Sequence, residues 1–153
     1  MRRKWIVAIA AMGLVLVSEA AAVTWSAPVD LSAAGQNADQ PQVTVSADGT
    51  RAVSVWRRYD GSNYIIQGSM SVDSGATWST PPDNLSAAGQ NAGTPQVAVS
   101  ADGGNLTSVW SRYDGSHDII QAFNSAPFNW IDLSAAGQNA DQPQVTVSAD
   151  GTR

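Results

Sequence analysis

The chain has 153 residues, a formal net charge of −5 and no cysteine. An acidic chain repels phosphate backbones and anionic lipid surfaces, which argues against nucleic acid as a partner. Without thiols there are no disulfides and no thiolate metal sites.

The N-terminus reads "MRRKWIVAIAAMGLVLVSEAAAVTW". Arg2, Arg3 and Lys4 precede an apolar run of thirteen residues, Trp5 to Val17, and an Ala-x-Ala site follows at Ala20 to Ala22. That is the anatomy of a secretory signal peptide over residues 1–22. A run of that length makes a helix of about 20 Å, short of the roughly 30 Å hydrocarbon layer. Removal of the leader leaves residues 23–153, with five arginines against twelve aspartates, a net of −7, and no glutamate or lysine. The sequence therefore predicts a secreted product, extracellular or periplasmic, with no membrane span after signal cleavage. Such a domain, lacking disulfides, is held by packing alone.

The rest of the chain repeats. Asp30 to Arg51 reads "DLSAAGQNADQPQVTVSADGTR", and Asp132 to Arg153 repeats all 22 residues. A third copy, "LSAAGQNAGTPQVAVSADG", runs from Leu85 to Gly103. "SVWRRYDGSNYIIQ" (Ser54 to Gln67) returns as "SVWSRYDGSHDIIQ" (Ser108 to Gln121). The leucines at 31, 85 and 133 are spaced by 54 and 48 residues, a period that suits a four-stranded propeller blade.

In chain order, "PQVTVSADG", "TRAVSVWRRYDG", "NYIIQGSMSV" and "TWSTP" predict four short strands joined by Asp-Gly and Ser-Gly turns. Ala52, Val53, Val55 and Trp56 put apolar groups on both faces of the second strand, which predicts burial on both sides. The fold class expected is all-β, a β-propeller of four-stranded antiparallel blades: 24–33 as the last strand of a blade, 41–85 and 95–133 as blades, and 143–153 as the start of another. Two blades and parts of others do not close a ring that takes about four to eight. The expectation is accordingly an incomplete propeller, with the remaining blades of the same protein as its nearest partners. Assembly of short chains into a ring is the competing idea.

Between the third and fourth strands lies "SVDSGATW". Ser71, Asp73, Gly75, Thr77 and Trp78 match the pattern Ser-x-Asp-x-Gly-x-Thr-Trp, and the segment resembles the Asp-box of the sialidase-like (BNR-repeat) β-propellers. Asp73 can accept N–H bonds from its own turn, Gly75 permits positive φ, and Trp78 can bury its indole beneath the turn. A lone carboxylate is a poor site for a cation that wants six or more oxygens, so the motif reads as a turn lock. The second copy departs from it: Ser125 to Trp130 reads "SAPFNW", without the Asp, Gly and Thr and two residues shorter.

Candidate ligand-binding residues recur in the second turn of each repeat: Arg58, Tyr59 and Asp60, then Arg112, Tyr113 and Asp114. An Arg, an aromatic and a carboxylate grip sugars or acidic ligands. The alternative is structural, with Asp-Gly closing the hairpin, Arg paired with Asp and Tyr at the blade edge. His117, the one histidine, reads as a loop residue. Sialidases hold their substrate carboxylate with three arginines, the first usually in an Arg-Ile-Pro motif, and use a Tyr activated by a Glu. This chain has no Arg-Ile-Pro and its mature part no Glu, so no catalytic residue is assigned, and no metal or cofactor is expected. The function expected is a secreted, non-catalytic propeller presenting a binding surface for an extracellular glycan or protein. The alternative is the N-terminal part of an exo-sialidase-like glycoside hydrolase.

Overall fold

The computed structural model describes residues 27–151. The expected signal peptide, the first residues of the 24–33 strand, and Thr152 with Arg153 lie outside them. Within them the chain is all-β, with no helix long and apolar enough to cross a membrane. Strands β1 (Ala38–Val45), β2 (Ala52–Tyr59), β3 (Tyr64–Ser71) and β4 (Asp83–Asn84) form one antiparallel sheet, A, in chain order. Strands β5 (Ala92–Val99), β6 (Leu106–Tyr113), β7 (Asp118–Ser125) and β8 (Phe128–Asp132) form sheet B with the same topology.

The turn residues set this order. Asp48 Oδ1 accepts the Thr50 N–H at 3.0 Å and the Ser46 hydroxyl at 2.6 Å, closing the β1–β2 turn over Gly49, whose φ is +73°. Asp60 Oδ1 takes the N–H groups of Ser62 and Asn63, both at 2.8 Å, and closes β2–β3. Asp102 and Asp114 do the same in sheet B. The first strand of each sheet carries a bulge before its proline-glutamine pair, between Asp39 and Gln42 and between Gly93 and Gln96. Gln40 and Thr94 there have φ near +50°, as does Gln142 in the third copy. Such backbone disfavours a β-branched residue, and at Thr94 it is supported by an N–H bond to Gln40 Oε1 at 2.7 Å.

Register assigns the faces. Val55 and Ile66 lie on the face of sheet A that meets sheet B, and Trp110 and Phe123 lie on the facing side of sheet B. With Leu85 and Ala92 they make one buried cluster. Each large side chain buried this way contributes about 1.5–3 kcal/mol. β2 is buried on both faces over Ala52–Trp56, as the sequence implied. The turns are tied across repeats: Ala47 N–H donates to Ala101 O at 2.9 Å, and Ala101 N–H to Ala149 O at 3.0 Å.

Two segments differ from expectation. The fourth strand of the first unit does not begin at Thr77: β4 is only Asp83–Asn84. Pro81 and Pro82 offer no N–H to a ladder, and Ser79 alone reaches back, its N–H bonding Met70 O at 2.8 Å. In the second unit a two-residue connection, Ala126-Pro127, leads directly into the five-residue β8. The third copy is also not a strand over 140–148, for no second strand lies beside it among the described residues.

Candidate functional site

The β2–β3 and β6–β7 turns and the linkers lie at one end of the two sheets. Tyr59 N–H donates to Asn37 O and Tyr113 N–H to Asn91 O. The Asn91 carboxamide reaches the preceding unit, accepting Tyr64 N–H at 3.0 Å. Asn139 does the same for Asp118 N–H at 3.1 Å. The second and third "GQNA" segments are therefore each fastened to the preceding unit through an asparagine, Asn91 and Asn139.

At this end the six candidate residues separate. Asp60 and Asp114 are held in their turns. The N–H groups of Asn63 and Ser62 hold the Asp60 carboxyl below the usual aspartate range, and those of His117 and Ser116 do so for Asp114. Consecutive strand residues point to opposite faces, so Arg58 and Tyr59 do not meet. Tyr59 lies on the face of sheet A toward sheet B, which is the side that Arg112 occupies from sheet B. By strand parity the Tyr of one unit and the Arg of the next lie on the two facing sides of the cleft between the sheets.

Tyr59 is packed on Tyr64 with ring centroids 5.4 Å apart. Tyr113 faces Asp118 at the same register position and is 41% exposed. The ion pair belongs to Arg57, whose guanidinium binds Asp39 twice, at 2.6 and 2.7 Å, and lies 4.3 Å from the Tyr64 ring centre. The expected Arg–Asp pairing is therefore between strands and not within the turn. Arg57 in turn holds the Asp39 carboxyl below its ordinary value.

Three atoms of each unit are buried with no partner in the protein: Oε1 of Gln36 and Gln90, Nε1 of Trp56 and Trp110, and Nε of Arg58 and Arg112. Sequence reasoning singled out the arginines but missed the glutamines and tryptophans. Their recurrence in "LSAAGQNA" and "SVW" was the available signal. His117 Nδ1 is likewise buried and unpartnered. Among the described residues no group of three or more His, Cys, Asp or Glu is placed to hold a metal ion.

The Ser71–Trp78 turn is saturated internally. Asp73 Oδ1 accepts Thr77 N–H and Ser71 Oγ–H at 2.8 Å each, and Oδ2 accepts the Thr77 hydroxyl at 2.6 Å. Ser71 Oγ accepts Gly75 N–H at 2.8 Å, and Trp78 Nε1 donates to Gly75 O at 3.1 Å. The Thr77 and Ser71 bonds bring the Asp73 carboxyl down from 3.8 to about 2. In the second unit the retained Ser and Trp take other work. Ser125 Oγ accepts Leu106 N–H, and Trp130 Nε1 donates to Leu85 O at 2.8 Å. Phe123, Phe128 and Trp130 stack with centroids 5.0–5.3 Å apart. With Leu106 they wall a cavity of about 420 Å³ between the sheets, with Val53, Gly68 and Leu85 opposite.

No protein-family model matches the sequence, and no curated protein matches it.

Proposed function

We propose that the chain is a repeat β-propeller unit of the sialidase-like, Asp-box type, a secreted and non-catalytic module that presents a binding surface for glycans or proteins. One observation carries the reading. Two four-stranded antiparallel sheets of identical strand order pack face to face in chain order, and their turns are tied from repeat to repeat. Radial repetition of such sheets is the propeller solution to unpaired edges. The saturated Ser71–Trp78 turn fits a structural lock in this scheme.

The binding surface is the turn-and-linker end. There each unit carries an arginine and a glutamine whose Nε–H and Oε1 are buried without a protein partner, and sheet B adds the exposed ring of Tyr113. Donors, acceptors and an aromatic face are what sugar hydroxyls and carboxylates require. The test is a glycan array probed with the purified chain and with an Arg58→Met, Arg112→Met variant, which keeps the apolar stems and removes the donors. Binding is expected to fall at least tenfold with an unchanged melting temperature. Equal binding by both proteins removes the glycan reading.

A further inference from the structure

We infer that the cavity between the two sheets is a saccharide site, which rests on the glycan reading above for its class of ligand but lies at the other end of the fold from the β2–β3 and β6–β7 turns. Its volume of about 420 Å³ falls among small-molecule sites, which span roughly 300–1,000 Å³. The lining is mostly apolar, with a few polar side chains from both sheets. That is the composition that fixes a ligand by shape and orients it by hydrogen bonds.

Strand register gives the two walls. On sheet B, Phe123 and Trp130 are register partners, as are Ser125 and Phe128, so the three rings stand on one face. A bond from Nε1 to Leu85 O at 2.8 Å fixes the Trp130 indole. It is nevertheless 50% exposed, and Phe128 is 69% exposed. Large aromatic rings left open beside a cavity mark a surface for a ligand. On sheet A, Asp83 is the register partner of Gly68, which lines the cavity, so its carboxylate stands on that side. Arg51 enters from the β1–β2 turn, with its stem laid over Gly103, where any side chain would collide with it.

The polar ends of this pair are uncommitted. The aspartates of the hairpin turns are bonded within those turns, but among the described residues no group bonds the Asp83 carboxylate or the Arg51 guanidinium. Asp102, bonded to Ser100 and Gly104, feels the Arg51 charge without bonding it. The ligand class follows. A wholly apolar molecule would strip water from two charged groups without replacing it. An ion of either sign would be drawn to one of them and repelled by the other. A neutral sugar has hydroxyls that donate to Asp83 and accept from Arg51, and the C–H face of its ring packs on Trp130 or Phe128.

The test is calorimetric titration of the chain with the methyl glycosides of glucose, galactose, mannose and N-acetylglucosamine, with indole and free tryptophan as controls. At least one glycoside is expected to bind one to one. Asp83→Ala is expected to weaken it by about tenfold or more, as loss of a charged hydrogen-bond partner does, at an unchanged melting temperature. Phe128→Leu, which keeps the bulk and removes the ring, is expected to weaken it as well. A parent that binds no glycoside overturns the inference, and so does one that binds indole or free tryptophan more tightly than any of them. Parent-like affinity in either variant also overturns it. If that same affinity is lost in the Arg58→Met, Arg112→Met variant, the sugar sits at the turn-and-linker end, and the reading above stands without this site.

Discussion

Leu85 and Leu133 offer a matched pair for testing the packing of the two sheets, since they hold the same place in successive linkers. Leu85 is 8% exposed and sits in the cluster with Val55, Ile66, Trp110 and Phe123. Its Cδ1 lies 3.1 Å from where a Cβ on Gly68 would stand. Truncating a buried leucine to alanine costs about 2–5 kcal/mol, rising with the cavity left behind. Leu85 already borders the 420 Å³ cavity, so some of its surroundings are empty and fewer contacts are lost. The lower part of that range, about 2–3 kcal/mol, is expected for Leu85→Ala. Leu133 is 57% exposed, and Leu133→Ala should cost under about 0.5 kcal/mol. At roughly 4 °C per kcal/mol, the melting temperatures of the two variants should differ by about 10 °C. Urea unfolding followed by tryptophan fluorescence, on protein dilute enough to be monomeric, measures both. Equal losses, or a greater loss for Leu133→Ala, would refute face-to-face packing through the first linker.

Ser86→Ala should destabilise by about 1–3 kcal/mol with an unchanged urea slope, because the buried Ile66 N–H loses the Oγ that accepts it at 2.8 Å. Arg57→Met should cost less than about 1 kcal/mol, and less still in high salt, since its pair with Asp39 is partly solvated. Both are read from urea midpoints. Asp73→Asn should flatten the acid limb of the stability curve. The folded carboxyl titrates near 2 and the free one near 3.8, so its contribution is complete above pH 4 and is lost as the pH falls toward 2. Melting temperatures of parent and variant should therefore converge with falling pH across that window, and a gap that stays constant would show that Asp73 holds no proton-linked bonds.

Much of this architecture is legible in the sequence, because turn chemistry and repetition act locally. Asp-Gly at 48–49, 60–61, 102–103 and 114–115 marks four hairpin turns, and each aspartate does close its turn. Apolar residues at both parities of Ala52–Trp56 announce a strand covered on both sides, and β2 is one. The fourth strand of the first unit was not legible, because Pro81 and Pro82 leave the segment after Trp78 without ladder donors and pairing waits until Asp83. At the candidate site, composition identified the arginines and tyrosines, but parity decided their company. Arg58 and Tyr59 are adjacent in sequence and face opposite ways, whereas Tyr59 and Arg112, in different repeats, share one cleft. Nor could the sequence tell that Asp39, and not Asp60, takes the arginine, for that follows from the Asp39–Arg57 register across the β1 bulge.

The same hydrogen bonds bear on what kind of chemistry these residues can serve. Asp48, Asp60, Asp73, Asp102 and Asp114 are all held below the ordinary aspartate range by donors of their own turns, and Asp39 by Arg57. A general acid working near neutral pH needs the opposite shift, from burial or a neighbouring negative charge. These carboxylates are committed to holding turns, with the lone pairs that face their donors already used. The arginine Nε–H groups, the linker glutamine carbonyls and the indole N–H groups, repeated from unit to unit, are by contrast buried without a partner in the protein.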